Sequence, residues 1–371
     1  MTRNGVLLYA PMPLRLRPLF PTLALLLPLS LGLCGCGASG PPIPDEEAVK
    51  VPGEGRVVVF VDAPRYLAGP ILRMFTSQSG VTVEATYREE VEDFDRKLQK
   101  AIDSNAADVL WADSPLPAIA LERAGHLVPF RPAGSRPVPG MYHERAYRWI
   151  GFAGNPRVIV THDTGTIPEH PPAATEDLTE GVWAGKAALA RPTAGTAAYH
   201  AAALLARMGD RDGREFLEKV RSQGNRIVAD DAEVRRMVGA GEADWGLIDL
   251  DRAICAKRLN EPLNIVFPDR LGMGAFVAPE VVALLKGAPD QAQARGLIGY
   301  AFATETAWAL SQADCALVTL LPVGTLGIPK PDWVPTLGSL NIATVDNEAV
   351  FDAWAGNREW LESWGAMPTS R

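Results

Sequence analysis

The residues with the most chemistry to offer lie in one run, Thr193-Ala194-Gly195-Thr196-Ala197-Ala198-Tyr199-His200. A short apolar strand, Ala187-Ala188-Leu189-Ala190, ends just before it. The glycine permits a tight turn, and a helix rich in alanine and leucine begins at or near Thr196. Unpaired backbone N–H groups at a helix start attract anions, and a threonine hydroxyl adds one more donor. Thr193, Gly195 and Thr196 therefore read as a cradle for a carboxylate, phosphate, phosphonate or co-bound anion, or else as a threonine N-cap with nothing bound. The run is not a P-loop, because no glycine-rich stretch ends in Lys-Ser/Thr. Tyr199 falls in the first helical turn, where it would line a pocket, whereas His200 there reads as structural.

The remaining candidates are acids and one arginine near strand ends. Asp249 and Asp251 follow the apolar run Trp245-Gly246-Leu247-Ile248 and would hold a cation or an amine, unless Asp249 only caps the helix beginning near Arg252. Asp62 and Arg65 follow the first apolar strand, and Arg65 has the planar fork that grips carboxylates and phosphates. Asp113 stands at another strand end, before Pro115. Glu89 opens an acidic run that reads as a hard-cation ligand or as a solvated face. The five histidines show no metal-ligand spacing. A nucleophile elbow, a zinc motif and a Ser-His-Asp set are missing. Paired carboxylates among Asp113, Asp249 and Asp251 leave hydrolysis as a competing class that spacing alone does not support.

The elements that must position these groups alternate strand and helix. Arg56–Val61 is apolar without polar alternation, as a strand covered on both faces should be. Leu67 to Gln78 reads as a helix with Leu67, Ile71, Leu72 and Phe75 on one stripe, and Gly80 stops it. Val81–Tyr87 then completes a βαβ unit. Further strands are expected at Ala107–Trp111, Trp149–Val160, Asp244–Asp249 and Asn264–Phe267. Later helices are expected near Val281–Leu285, Gln291–Phe302, Glu305–Gln312 and Glu348–Trp364. Trp111 and Trp245 read as core, and Trp354, Trp360 and Trp364 as the packing stripe of the last helix. Ligands of such sheets sit beyond the carboxyl ends of strands. That directs attention to the loops at Asp62, Asp113, Thr193 and Asp249.

A chain of 371 residues, 47% hydrophobic and 22% charged, is globular and long enough for two domains. Residues 1–35 carry Arg3, Arg15 and Arg17 and no acid, so their removal takes the formal charge from −8 to −11. That acidity argues against nucleic acid as a partner. Arg15 and Arg17 precede an interrupted apolar run from Leu19 to Leu33, which has the form of an export signal and is too broken for a spanning helix. It ends in Leu33-Cys34-Gly35-Cys36, which resembles a bacterial lipobox with Cys36 as the lipidated thiol. Residues 36–55, with Pro41, Pro42, Pro44 and Pro52, read as a flexible tether. Cys255 and Cys315 are left as an extracytoplasmic disulfide or as two unpaired buried thiols.

The order of segments resembles the extracellular solute-binding proteins related to periplasmic ferric iron binders. The matching pieces include Val57–Phe60, Ala107–Asp113, Leu121–Phe130, Asn155–Val160, Ala190–Thr196, Val238–Asp249 and Gly272–Pro279. The resemblance implies an α/β, periplasmic-binding-protein-like (type II) fold, with two α/β lobes joined by a hinge around a ligand cleft. Lobe 1 would take residues 56–160 and return over 270–371, and lobe 2 would take 161–269. It further implies a monomer in the periplasm or elsewhere outside the cytoplasm, working with the permease and ATPase subunits of an ABC importer. Ferric iron or another hard cation, bound with a synergistic anion, is the implied cargo, and Glu89, Asp249 and Asp251 are its candidate ligands. The sequence departs from the iron binders where their adjacent tyrosine pair falls: here stand Asp249-Leu250-Asp251. A small anionic or zwitterionic organic solute, such as a phosphonate or polyamine, is the alternative cargo. A ligand sensor would share the same fold.

Overall fold

The computed structural model describes residues 44–47, 53–164, 170–322, 326–328 and 336–366. Cys36, the export segment and most of the tether lie outside the described residues. Within the segment read as a tether, Glu47 contacts the body of the protein. Its N–H donates to the Arg131 carbonyl at 2.9 Å and its carboxylate pairs with Arg295 at 2.8 Å.

Among the described residues, eleven strands form one mixed sheet. They are β1 (Arg56–Asp62), β2 (Thr82–Tyr87), β3 (Val109–Ala112), β4 (Leu127–Val128), β5 (Ile150–His162), β6 (Ala187–Ala190), β7 (Arg226–Val228), β8 (Trp245–Asp249), β9 (Leu263–Val266), β10 (Val277–Leu285) and β11 (Val318–Thr319). The main path runs β2-β1-β3-β10-β5-β8-β6-β7. β1, β2 and β3 are parallel at one end, and β6, β7 and β8 are parallel at the other. β5 joins the two ends. Its first part, Ile150 to Pro156, pairs with β10, and Arg157 to Thr161 pairs with β8. The changeover falls at Asn155-Pro156-Arg157, so three consecutive residues of one strand touch both halves of the sheet.

The helices are α1 (Arg65–Ser79), α2 (Phe94–Asp103), α3 (Leu116–Arg123), α4 (Gly195–Met208), α5 (Asp210–Ser222), α6 (Asp231–Gly239), α7 (Leu250–Arg258), α8 (Gln291–Ala301), α9 (Thr304–Gln312) and α10 (Asn347–Gly365). α1 buries Leu67, Ile71, Leu72 and Phe75, the expected stripe, and Gly80 closes it at φ 79°. Trp111 and Trp245 are core residues. The last helix lies along α4 and α5, where Trp364 donates to the Leu217 carbonyl at 3.0 Å.

One expectation is overturned. Val281–Leu285 is not helical but the second half of β10, a nine-residue strand buried along its whole length. A short, wholly apolar run carries no periodicity to separate the two forms, and burial on both faces allows either. The valine pair and the antiparallel partners on both sides decide for a strand.

Cys255 of α7 and Cys315, just ahead of β11, form a disulfide with Cα atoms 4.6 Å apart. It closes a loop of 60 residues, worth about 4 kcal/mol of chain entropy in the simplest account. β11 pairs with Ala153 and Gly154 of β5, so the bridge ties α7 to the strand that joins the two halves.

Candidate functional site

The carboxyl ends of the parallel strands at both ends of the sheet open onto one cavity of about 370 Å³. β1 delivers Asp62, β3 leads to Asp113, β6 leads to Arg191 and Thr193, and β8 ends in Asp249. The cavity thus collects Asp62, Glu89, Asp113, Thr193, Gly195, Thr196, Asp249 and Asp251 from the sequence candidates. Two candidates lie elsewhere. Arg65 points away from the cavity, pairs with Glu90 and lies over the Tyr87 ring at 5.2 Å. Tyr199 is core, with its hydroxyl donating to Asn347 at 2.9 Å beneath α10. Arg65 sits one position off its neighbour Tyr66, which looks into the cleft, while the cavity lining of α4 ends at Ala197, short of Tyr199.

Most of the acids are already held. Arg88 forms a fork with Asp62, at 2.9 Å for the Nη2–Oδ2 contact, and reaches Asp95 at 2.6 Å. Arg157 is buried on β5 and donates to both oxygens of Asp231 and, at 2.9 Å, to Asp249. Asp231 also accepts the Asp249 backbone N–H at 2.9 Å. Asp249 stands at the N-cap position of α7, but its side chain does not cap the helix. It accepts instead from Arg157 and from the Thr196 hydroxyl at 2.5 Å. Asp251 accepts from Asn155 Nδ2 at 2.9 Å and from the Tyr66 hydroxyl. Glu89 accepts the Arg65 backbone N–H at 3.1 Å.

Asp113 is the exception. Its Oδ1 is buried and has no hydrogen-bond partner among the described residues. Its Oδ2 lies 3.0 Å from where a Cβ on Gly195 would stand, and Gly195 has φ +58°. Glycine is required there twice over, by conformation and by the approach of the carboxylate. α4 begins at Gly195 with Ala194 as an N-cap that offers no side-chain acceptor, so Thr196 sits inside the first turn instead of capping it.

Burial makes these acids reluctant to ionise. Asp249 is pushed up to about 7, chiefly by burial and against the pull of Arg157. Asp113 lies well above the usual carboxylate range through burial and the neighbouring charges of Asp62, Glu280 and Asp249. Asp62 is raised by burial despite Arg88. Behind them Glu280 is pushed up to about 8 by burial, although the Trp111 indole donates to it at 2.5 Å. Among the described residues no group of three or more His, Cys, Asp or Glu side chains is arranged to hold a metal ion.

Sequence reasoning missed Tyr66, Arg88, Asn155, Arg157, Asp231 and Arg252. Asn155 and Arg157 belonged to a segment quoted for its resemblance, yet a buried strand interior gave no signal that Asn155 lines the cleft or that Arg157 holds its acids from behind. Asp231 opens α6, away from any apolar strand end that would mark it as a site residue.

The matched family model is that of the bacterial extracellular solute-binding proteins, over residues 58–313. The chain belongs to that family, the bacterial extracellular solute-binding proteins, which places it outside the cytoplasm. It is similar to the apo ferric ion-binding protein A of Pasteurella haemolytica, with a TM-score of 0.72 at 19% identity over 85% of this chain and 99% of that one. The iron-bound HitA of Pseudomonas aeruginosa gives 0.71 at 19% identity, over 84% and 99%. The periplasmic binding protein AfuA of Actinobacillus pleuropneumoniae, with fructose-6-phosphate bound, gives 0.68 at 18% identity, over 84% and 99%. These likenesses establish the α/β, periplasmic-binding-protein-like fold. No curated protein sequence matches this one closely enough to count as a relative. No helix among the described residues is long and apolar enough to cross a membrane.

Proposed function

We propose that the protein captures a hard metal cation, ferric iron first, together with an anion, and presents it to the permease and ATPase of an ABC importer. The observation that carries this reading is Asp113, a buried carboxylate without a partner, facing a cavity that also holds Asp249 and Asp251. A positive charge is what such a group lacks. Ferric binders among the similar structures lend the choice of metal. A hard cation takes several oxygen ligands, and this chain offers few that are not already engaged. A co-bound anion at the uncapped start of α4 would complete the shell.

In this reading β5 is the hinge. Lobes built on residues 56–160 with 270–371, and on 161–269, close around the solute, and the closed form is what the permease meets. Cys36 holds the assembly to the membrane by lipid. The volume of the cavity supports a second reading, because about 370 Å³ falls in the range of small-molecule sites. A zwitterionic organic solute such as a phosphonate would place its amine at Asp113 and its anion at α4.

The test is a thermal-shift series on the full-length protein with ferric iron plus citrate or carbonate, divalent metals, phosphate, phosphonates and polyamines. A ligand that binds only the folded state raises the melting temperature. Iron with an anion should give the largest rise. A rise with a phosphonate and none with iron under any anion would replace the first reading by the second.

A further inference from the structure

Two of the arginines around the cleft are committed to acids of this chain, Arg88 to Asp62 and Asp95, and Arg157 to Asp231 and Asp249. Arg252 is not. It lines the cavity from the first turn of α7, is half-buried, and has no hydrogen bond or ion pair with any of the described residues. Its guanidinium carbon lies 4.5 Å from the centre of the Tyr66 ring. That ring is itself held, because the Tyr66 hydroxyl donates to Asp251. The shelf therefore comes from α1 and the guanidinium from α7, elements belonging to opposite ends of the sheet.

A guanidinium carries its N–H donors in its plane, so seating one face against a ring leaves the edge free for a two-point grip on an oxyanion. A half-buried guanidinium with five donors and no acceptor is otherwise a costly thing to build. The geometry points to Arg252 as the specificity residue that reads the oxyanion part of the solute, a carboxylate or a phosphate-type group. This rests on the reading that a cation and an anion are captured together. Asp231, Asp249 and Asp251 surround Arg252 electrostatically and repel an anion arriving alone. The oxyanion gains its place when a positive charge enters beside it.

Terbium(III) luminescence tests this on the full-length protein, since terbium is a hard cation that is measured with or without citrate. Citrate should tighten terbium binding to the wild type by about tenfold or more, the worth of a charge-assisted bidentate contact. Arg252→Gln should lose that gain, read in each protein as the ratio of its terbium affinity with citrate to that without, and Arg252→Lys should keep part of it. A citrate gain that is absent in the wild type, or undiminished in Arg252→Gln, overturns the assignment. The two readings fail separately. If terbium does not bind, yet citrate alone raises the melting temperature of the wild type and not of Arg252→Gln, the cation is lost and Arg252 stands. If terbium binds and the citrate gain survives Arg252→Gln, the cation stands and Arg252 is lost.

Discussion

Thr196 gives its hydroxyl to Asp249 at 2.5 Å, so the residue best suited to receive an anion at the start of α4 is spent on an acid at the end of β8. The contact joins two candidates that the sequence places 53 positions apart and assigns opposite chemistry. It also means that no solute meets Asp249 as a free carboxylate. Any cation entering must take over from Thr196 or share with it.

Cation capture should therefore release protons. Asp249 sits at about 7 through burial, so a fraction of it is protonated near neutrality, and burial also holds Asp113 above the ordinary carboxylate range. A bound cation favours the ionised forms and drives those protons off. Affinity should fall as pH drops below about 7. Calorimetric titration at about pH 6.5, in two buffers of different ionisation enthalpy, measures the protons directly. Identical heats in both buffers would remove these acids from the binding step. Asp249→Asn should reduce the pH dependence, leaving the part due to Asp113, and weaken the cation by more than tenfold, the scale of a lost charged contact.

Arg157 should be the costliest polar side chain to delete. It is buried between Asp231 and Asp249 and is the ion-pair partner of both among the described residues. Removing one partner of a buried pair leaves uncompensated charge, worth about 3–5 kcal/mol. Arg157→Met keeps the bulk and removes the charge. Urea unfolding at neutral pH should show a loss in that range. A change under about 1 kcal/mol across pH 5–8 would mean the network is decorative.

Much of the frame was legible from the sequence and much of the site was not, for separable reasons. Strand ends are marked by apolar runs giving way to Asp, and Asp62, Asp113 and Asp249 all arrive at the cavity as those runs imply. Helix phase is finer than a run of residues shows, so Arg65 was chosen where its neighbour Tyr66 faces the cleft. Residues buried inside long strands, such as Arg157, look like interruptions of a core until a partner from another element stands opposite. Cys255 and Cys315 left two readings because a spacing of 60 residues says nothing of distance in space.

The disulfide should act on stability and on the cleft together. Cys255 lies on α7, whose first turn carries Asp251 and Arg252. Asn155 and the bridge both tie that helix to β5 and its partner β11. Replacing both cysteines by serine should cost about 2–4 kcal/mol, read as a lower denaturation midpoint. It should also weaken solute binding, through the freedom α7 gains. Unchanged affinity with lowered stability would confine the bridge to the folding equilibrium.

Gly195→Ala tests how tightly the turn is built. The new Cβ would stand 3.0 Å from Asp113 Oδ2 on a backbone at φ +58°. Strain of this kind costs of order 1 kcal/mol, and moving Asp113 aside displaces the cleft acid that has no partner among the described residues. Stability should fall modestly and cation affinity more steeply. An alanine variant binding as the wild type does would show that Asp113 is not held where the solute needs it.

Glu280 should set the alkaline limit of stability. Its folded-state value of about 8 lies above that of an unfolded glutamate, so the folded protein holds this proton more tightly. Its contribution is fully present below the ordinary glutamate range and is lost as pH rises through about 8, with Asp249 adding a similar loss through about 7. His200 works at the other side. Burial, and then the charge of Arg157, holds it down to about 3, so the unfolded chain takes up a proton below the usual histidine range that the folded chain refuses. Stability from His200 is lost as pH falls from there. Glu280→Gln keeps an acceptor for the Trp111 indole and removes the ionisation. Its stability relative to the wild type should grow with pH by up to about 1.4 kcal/mol per unit until about pH 8 and then level off. Denaturant midpoints of the two proteins from pH 5 to pH 9 give the curve. A constant difference across that range would mean that Glu280 ionises in the folded protein as it does in the unfolded chain.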